Sequence, residues 1–357
     1  MSKGYNISEI AEMFNITTNK IRFYEKKGLL APTREYDNQY RRFSEEDIVR
    51  LQSVLTYRSI GLSVDSIKNI LKNNGKENYL THFNNQWQLV NDEIHRLNTI
   101  RKSLEQVMDK IYEETDDFNV KDNLLEIISE SNKLNDIKNQ WKDKWNFNNW
   151  ARSYDKDVKK DIGELKIYKN YDLILQKVYD LVEALGRSDL RILEIGVGTG
   201  NLAGKFLNSG YNIIGIDQSR EMLSVAKEKH PKLKVRLGEF LKIPYENKSF
   251  DVIISTYAFH HLNETEKYIA IEEIMRVLKD NGVIIMGDLM FESKASEEEI
   301  LKVLPQSLVE EIKDEYYSYI DLLKAAFEKY NKKFEHYRVD KLNYIIVVHE
   351  QMDFHRK

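Results

Sequence analysis

Ile7, Ile10, Ala11 and Phe14 recur at the i, i+3, i+4, i+7 spacing that lines one face of a short helix. Asn15-Ile16-Thr17-Thr18 interrupts that face and offers an N-cap to a second short helix through Ile21, Phe23 and Tyr24, which Gly28 closes. Two such helices joined by about three residues predict a helix-turn-helix. Leu29-Leu30-Ala31-Pro32 and the stretch 36–43 read as short extended pieces around a turn, a β-wing. Ser44-Glu45-Glu46-Asp47 then starts a third helix, with a capping residue and acids in its first turn.

Further on, Phe83, Trp87, Val90, Ile94, Leu97, Leu104, Met108 and Ile111 step alternately by four and three, broken only at Arg101. That narrow stripe, flanked by charges, predicts a coiled-coil helix rather than one packed on its own domain. Asp116-Asp117-Phe118-Asn119 marks its end, and residues 121–148, with Leu124, Leu125, Ile127, Ile128, Leu134, Ile137, Trp141 and Trp145, read as a helical connector. From about residue 190 short apolar runs at 191–196, 212–217, 234–238, 250–256 and 282–288 alternate with helical segments. This predicts a mostly parallel sheet covered on both faces. Runs at 334–339 and 344–350 predict a hairpin adding an antiparallel strand at the edge. The expected chain is multi-domain: an all-α winged helix-turn-helix head (1–75), a dimerisation helix (76–115), a helical connector (116–147) and an α/β body (148–357).

Composition sharpens this picture. The 357 residues hold no Cys, which excludes disulfides, thiolate nucleophiles and cysteine metal sites. No apolar run approaches 18 residues, and the first nine residues carry no apolar signal core, so a cytoplasmic protein with no membrane partner is expected. The net charge of -4 is uneven: residues 1–72 hold 12 Lys+Arg against 9 Asp+Glu, a basic head on an acidic body. That balance suits a small nucleic-acid module at one end.

The second helix carries Thr17, Thr18, Lys20, Arg22 and Tyr24, residue types that read a groove or contact phosphates, and Tyr40, Arg41 and Arg42 of the wing are placed to grip phosphates beside it. The blocks IRFYEKKGLL, YRRFSEEDI and LQSVLTYRSIGLSVDSIKNIL, in order and spacing, resemble the MerR family of transcription regulators over about residues 5–112. Gln39 departs from the glycine usual in that wing, where a positive φ is harder for Gln. The resemblance implies a homodimer joined by an antiparallel coiled coil and bound to double-stranded promoter DNA.

In the body, the first strand runs into Leu193-Glu194-Ile195-Gly196-Val197-Gly198-Thr199-Gly200-Asn201, and the second ends in Asp217, placed to accept hydrogen bonds from two ribose hydroxyls. A dinucleotide fingerprint would need glycine at 201, where Asn stands. The E-x-G-x-G-x-G spacing is instead similar to motif I of class I S-adenosylmethionine-dependent methyltransferases, which have a Rossmann-like α/β fold. Residues 148–351 look closest to small bacterial methyltransferases of the YrrT type, through LEIGVGTGNL and YAFHHL. The resemblance implies an S-adenosyl-L-methionine site of Glu194, Gly196, Gly198, Gly200, Asp217, Gln218, Glu239, Phe240 and Ser255, with Tyr154 on a lid over the methionine part.

Methyl transfer is an in-line displacement in which alignment does much of the work, and a base is needed only where the acceptor keeps its proton. His260 and His261 are the candidate bases, His261 preferred between Phe259 and Leu262, with Tyr154 and Tyr257 as alternates. No His/Asp/Glu spacing marks a metal site, so no metal is expected. Tyr316, Tyr317, Tyr319 and Phe327 either line a pocket for a small-molecule methyl acceptor or simply pack helices, packing being favoured. Three functions fit the chain: a DNA-binding regulator with a working methyltransferase body, an enzyme whose head serves dimerisation, or a cofactor sensor without turnover.

Overall fold

The computed structural model describes residues 4–35, 39–73, 79–113, 120–140, 143–161 and 163–350. The expected wing tip at 36–38, the helix end at 116–119 and Trp141 lie outside them, as does the side chain of Leu124. The chain divides into two compact units, Met1–Leu97 and Asn98–Lys357.

The first unit begins with α1 (Ile7–Met13) and α2 (Thr18–Lys26). Asn6 caps α1 in a capping box with Glu9, and Thr17 caps α2 by accepting the Lys20 N–H at 3.3 Å. The strands β1 (Thr33–Arg34) and β2 (Arg41–Arg42) pair antiparallel as the wing. Gln39, at its turn, adopts φ 58, the left-handed conformation that its position demanded. Helices α3 (Glu45–Ser59) and α4 (Val64–Asn73) follow. Ile10, Ile21, Tyr24, Leu29, Phe43, Leu51, Val54, Tyr57 and Ile67 close the core. The long helix α5 (Tyr79–Glu113) carries the stripe, with Trp87 and Val90 half-buried and Phe83, Ile94, Leu97, Leu104, Met108 and Ile111 exposed.

The second unit adds α6 (Val120–Gln140), α7 (Phe147–Trp150), α8 (Tyr154–Lys160) and α9 (Tyr171–Glu183) before its sheet. Five parallel strands come next: β3 (Arg191–Ile195), β4 (Asn212–Asp217), β5 (Lys234–Leu237), β6 (Phe250–Thr256) and β7 (Leu278–Phe291). The helices α10 (Asn201–Asn208), α11 (Arg220–Lys229) and α12 (Glu264–Val277) connect them. After α13 (Lys294–Val303) and α14 (Gln306–Lys313) a two-residue strand β8 (Ser318–Tyr319) pairs with the end of β7; then come α15 (Ile320–Glu328), β9 (Lys332–Arg338) and β10 (Asn343–Glu350). The sheet order is β5-β4-β3-β6-β7-β10-β9.

One expectation changes: the fifth strand is twice as long as its apolar run. The expected hairpin forms the sheet's edge, β10 lying antiparallel between β7 and β9. The central strand β6 is buried at all seven positions, and β3 and β4 at all but their first, because helices cover both faces. Strand order reverses between β3 and β6, and a doubly wound sheet opens a crevice at the carboxyl ends of strands at such a point. No helix among the described residues is long and apolar enough to cross a membrane.

Candidate functional site

The crevice is built on the turn after β3. Gly196 adopts φ +74, and a Cβ there would meet the Ala258 Cβ at 2.5 Å, so only glycine lets this turn close on the loop after β6. Gly198, at φ +52, has nothing within 4 Å of its Cβ position and borders the cleft. Gly200 instead packs against His230 and Ala226 as the N-cap of α10 and is not among the cleft-lining residues. Asp217 ends β4. One carboxylate oxygen accepts the Gly198 N–H at 2.9 Å, the other the Ser219 N–H at 2.8 Å. Burial pushes its carboxyl up to about 6 even though these N–H groups favour the ionised form.

Gln218, Glu239 and Phe240 line the same cleft, Phe240 edge-on to Phe259 at 5.3 Å. Besides Gly200, two expected cofactor residues do not. Glu194 is buried in the middle of β3, its carboxyl raised well above the usual range by desolvation, and it pairs with the backbone of Ala203. Ser255 is buried and donates to the Ile195 carbonyl at 2.8 Å, tying β6 to β3. In a strand, alternate side chains leave the sheet on opposite faces, so membership of the motif did not place these two at the cleft.

Aromatic side chains line and flank the cleft: Trp150 of α7 packs on Tyr154 of α8 at 4.8 Å, and Tyr168 and, at the start of α9, Tyr171 each stand 5.3 Å from Tyr257. Burial pushes the phenols of Tyr154 and Tyr257 above their ordinary value, which disfavours both as general bases. Tyr257 is also a non-glycine residue at φ 50, a conformation found where a site constrains the chain. Sequence reasoning missed Phe147, Tyr168 and Met222, which line the cleft too; the aromatic spacing Trp145, Phe147, Trp150 was the visible signal.

The two histidines separate. His260 is 2% exposed and does not line the cleft; its Nδ1 meets Asp288 Oδ1 at 2.5 Å, while Asp288 also accepts the backbone N–H groups of Phe259 and Leu289, both at 2.7 Å. The expectation of a base at His260 is corrected accordingly. His261 borders the cleft between Trp145, at 4.4 Å, and Phe147, at 5.0 Å, and its Nδ1 meets Glu315 Oε2 at 3.2 Å. Burial lowers its imidazole to about 4, so it is neutral at physiological pH. Burial raises Glu315, but the hydrogen bond from His261 prevails and keeps it below the ordinary glutamate range. His260, His261 and Glu315 each offer a ligand atom, all within 4.8 Å of one another, a grouping that local spacing did not reveal.

Beside this site lies a second cavity of about 260 Å³, lined by Tyr316, Tyr317, Tyr319, Lys267, Glu315 and the buried Ser318. Three of the four expected pocket residues border it; Phe327 is fully buried in the sheet's core instead. Burial lowers Lys267 to about 8, and its ammonium donates to the Tyr316 carbonyl.

In the first unit Lys20 and Arg22 are exposed on α2, as is Tyr40 at the wing, while Thr18 is half-buried. Tyr24 is not on this surface. It is 3% exposed in the core, because positions 21 and 24 share one helix face, and its expected contact with DNA is withdrawn. Thr17 is committed to its cap. Arg41 pairs with Glu25 at 2.6 Å and Arg42 with Glu35 at 2.5 Å.

Residues 193–286 match the family described as a methyltransferase domain, and residues 5–74 match the MerR HTH family of regulatory proteins. An uncharacterized methyltransferase of Oceanobacillus iheyensis is 39% identical over 190 residues, spanning 52% of this chain and 86% of that protein. One from Alkaliphilus oremlandii is 36% identical over 205 residues, spanning 56% and 94%. Among solved structures, the magnesium protoporphyrin IX methyltransferase of Synechocystis aligns with TM-score 0.46 and 14% identity, over 58% of this chain and all of that one. The chain belongs to the methyltransferase family of these relatives and carries a MerR-type helix-turn-helix module ahead of that domain.

Proposed function

We propose that the second unit binds S-adenosylmethionine and transfers its methyl group to a small acceptor, and that the first unit reads promoter DNA as part of a cytoplasmic homodimer. The observation that carries the enzymatic reading is the buried Asp217 carboxylate held over a glycine turn that is open at Gly198. This cradle fits the cofactor: Asp217 would hold the ribose hydroxyls, Glu239 the adenine amino group and Phe240 the adenine ring, with Tyr154 closing over the methionine part. The bound cofactor supplies a sulfonium methyl group activated for displacement. The chain's own contribution is alignment and exclusion of water by the aromatic wall of Phe147, Trp150 and Tyr154. His261, on the cleft wall, would be the side chain closest to the acceptor's proton where a base is needed.

Calorimetry with the full chain tests this reading. S-adenosylmethionine should bind with one site per chain, NAD should not, and Asp217→Ala should weaken binding tenfold or more, since charge-assisted hydrogen bonds contribute about 1.5–3 kcal/mol each. Binding indifferent to Asp217 overturns the cofactor assignment. Binding without methyl release from any acceptor in a screen would leave the domain a sensor.

The DNA reading rests on Lys20 and Arg22, exposed on the second helix of the helix-turn-helix. The dimer reading rests on the apolar residues that α5 leaves exposed. A sensor of this design requires that the acceptor or cofactor bind the DNA-bound and free states unequally.

A further inference from the structure

We propose that His260, His261 and Glu315 bind one divalent transition-metal ion at the edge of the cleft. Their ligand atoms lie within 4.8 Å of one another. Two ligands of a tetrahedral ion at about 2.0–2.2 Å stand about 3.3–3.6 Å apart, so binding draws the three side chains together by up to about 1.5 Å. The trio is held together by its backbone. His260 and His261 are adjacent on the short turn after β6, and the Tyr316 N–H donates to the His260 carbonyl at 3.0 Å, pinning the segment that bears Glu315 against that turn.

A second, independent feature points the same way. The Nδ1 of His260 faces Asp288, itself fixed by the backbone N–H groups of Phe259, His260 and Leu289. Metal-bound histidines characteristically donate their other ring N–H to a carboxylate, which fixes the tautomer and aims the remaining nitrogen at the ion. Two imidazoles and one carboxylate suit zinc, iron, cobalt or manganese better than magnesium or calcium. Three protein ligands leave a position open, and one of the three, His261, borders the cleft.

What the ion does rests on the methyltransferase reading; its binding does not. An acceptor hydroxyl or thiol taking the open position would lose its proton to solvent, and its lone pair would then form the bond to the incoming methyl as the sulfonium carbon–sulfur bond breaks. His261 then acts as a ligand, and no side chain need take the proton.

The test uses the untagged full chain, stripped with a chelator and titrated with cobalt(II), followed by visible absorption, with zinc and manganese content measured after gel filtration. One equivalent per chain is expected. Glu315→Gln and His261→Ala should each weaken binding tenfold or more, and so should Asp288→Asn, which touches no ion. His336→Ala, on the exposed edge strand β9, should change nothing. Melting followed by circular dichroism identifies variants that fail to fold, and Glu315→Gln, in a half-buried side chain, keeps the test decisive. No bound metal in the wild-type chain, or metal retained equally by Glu315→Gln and His261→Ala, overturns the proposal. Methyl transfer that persists in chelator would also remove the catalytic role while leaving the methyltransferase reading intact. Metal binding without S-adenosylmethionine binding would do the reverse.

Discussion

Asp155, the second residue of α8, accepts a hydrogen bond from the Thr199 hydroxyl at 2.6 Å, so the lid is latched to the glycine turn it covers. The same carboxylate takes the Asn201 side-chain amide at 2.9 Å and the Lys229 ammonium at 2.6 Å. Burial raises its carboxyl, but these three donors outweigh that effect and hold it below the usual aspartate range. Asn201, where a dinucleotide site would carry glycine, thus belongs to the latch. Asp155→Ala should release α8 and raise the cofactor's dissociation rate about tenfold, with a smaller change in association rate, measured by stopped-flow on the full chain. An unchanged dissociation rate would show that the latch holds the lid without guarding the cofactor.

Asp217 should set a pH limit on cofactor binding. Its carboxyl titrates at about 6 in the fold, against 3.8 ordinarily. The ionised form is the one that accepts from ribose hydroxyls, so affinity should fall about tenfold per unit below pH 6 and level off above it. The sign for stability is opposite. A carboxyl whose folded value is raised stabilises the fold fully below about 3.8, and that stabilisation is lost as pH rises through 6, leaving a cost on the order of 3 kcal/mol at pH 7.5. Asp217→Asn should therefore lose cofactor affinity, and its melting temperature should depend less on pH between 4 and 7.5 than the wild type's, although one of the two backbone N–H groups that Asp217 accepts loses its acceptor. A pH dependence as steep as the wild type's would refute the desolvation argument.

The sheet was legible because strands buried on both faces carry runs of consecutive apolar residues, as Val252-Ile253-Ile254 does within β6. The glycine turn was legible because its backbone has special requirements that only Gly meets. What was hidden is long-range pairing. Glu315 lies 54 residues from His261 and Asp288 lies 28 from His260, and no local pattern joins them. Glu194 and Ser255 were misplaced because a motif names residues without saying which face of the strand they leave. Tyr24 was assigned to DNA by its type, although its i+3 relation to Ile21 already put it on the core face.

Salt dependence should separate the two basic clusters of the head. Each phosphate neutralised by Lys or Arg contributes about 0.9 to the slope of log K against log salt. Lys20→Ala with Arg22→Ala should reduce that slope by about 2 on promoter DNA. Arg41 and Arg42 are already paired with Glu25 and Glu35, so replacing them should change the slope less. Electrophoretic shifts at four or more salt concentrations would decide it, and an equal loss for both pairs would show that the wing's ion pairs open on DNA.

Assembly should depend on α5. Ile94, Leu97, Leu104, Met108 and Ile111 are each about half exposed in the single chain, between 48 and 57%, which is unusual for large apolar side chains recurring along one helix. Because these positions bear little of the fold's own core, Leu97→Asp or Leu104→Asp should leave each unit folded. In a dimer seam the same carboxylate would be buried without a partner, at a cost of roughly several kcal/mol. Sedimentation should therefore show a dimer for the wild type and a monomer for either variant at micromolar concentration. The monomer should lose promoter binding, since one helix-turn-helix reads only half of a two-fold site. S-adenosylmethionine affinity should be preserved, because every residue of the cleft lies beyond position 146. A variant that stays dimeric would move the interface away from α5, and a wild type that sediments as a monomer would abolish it.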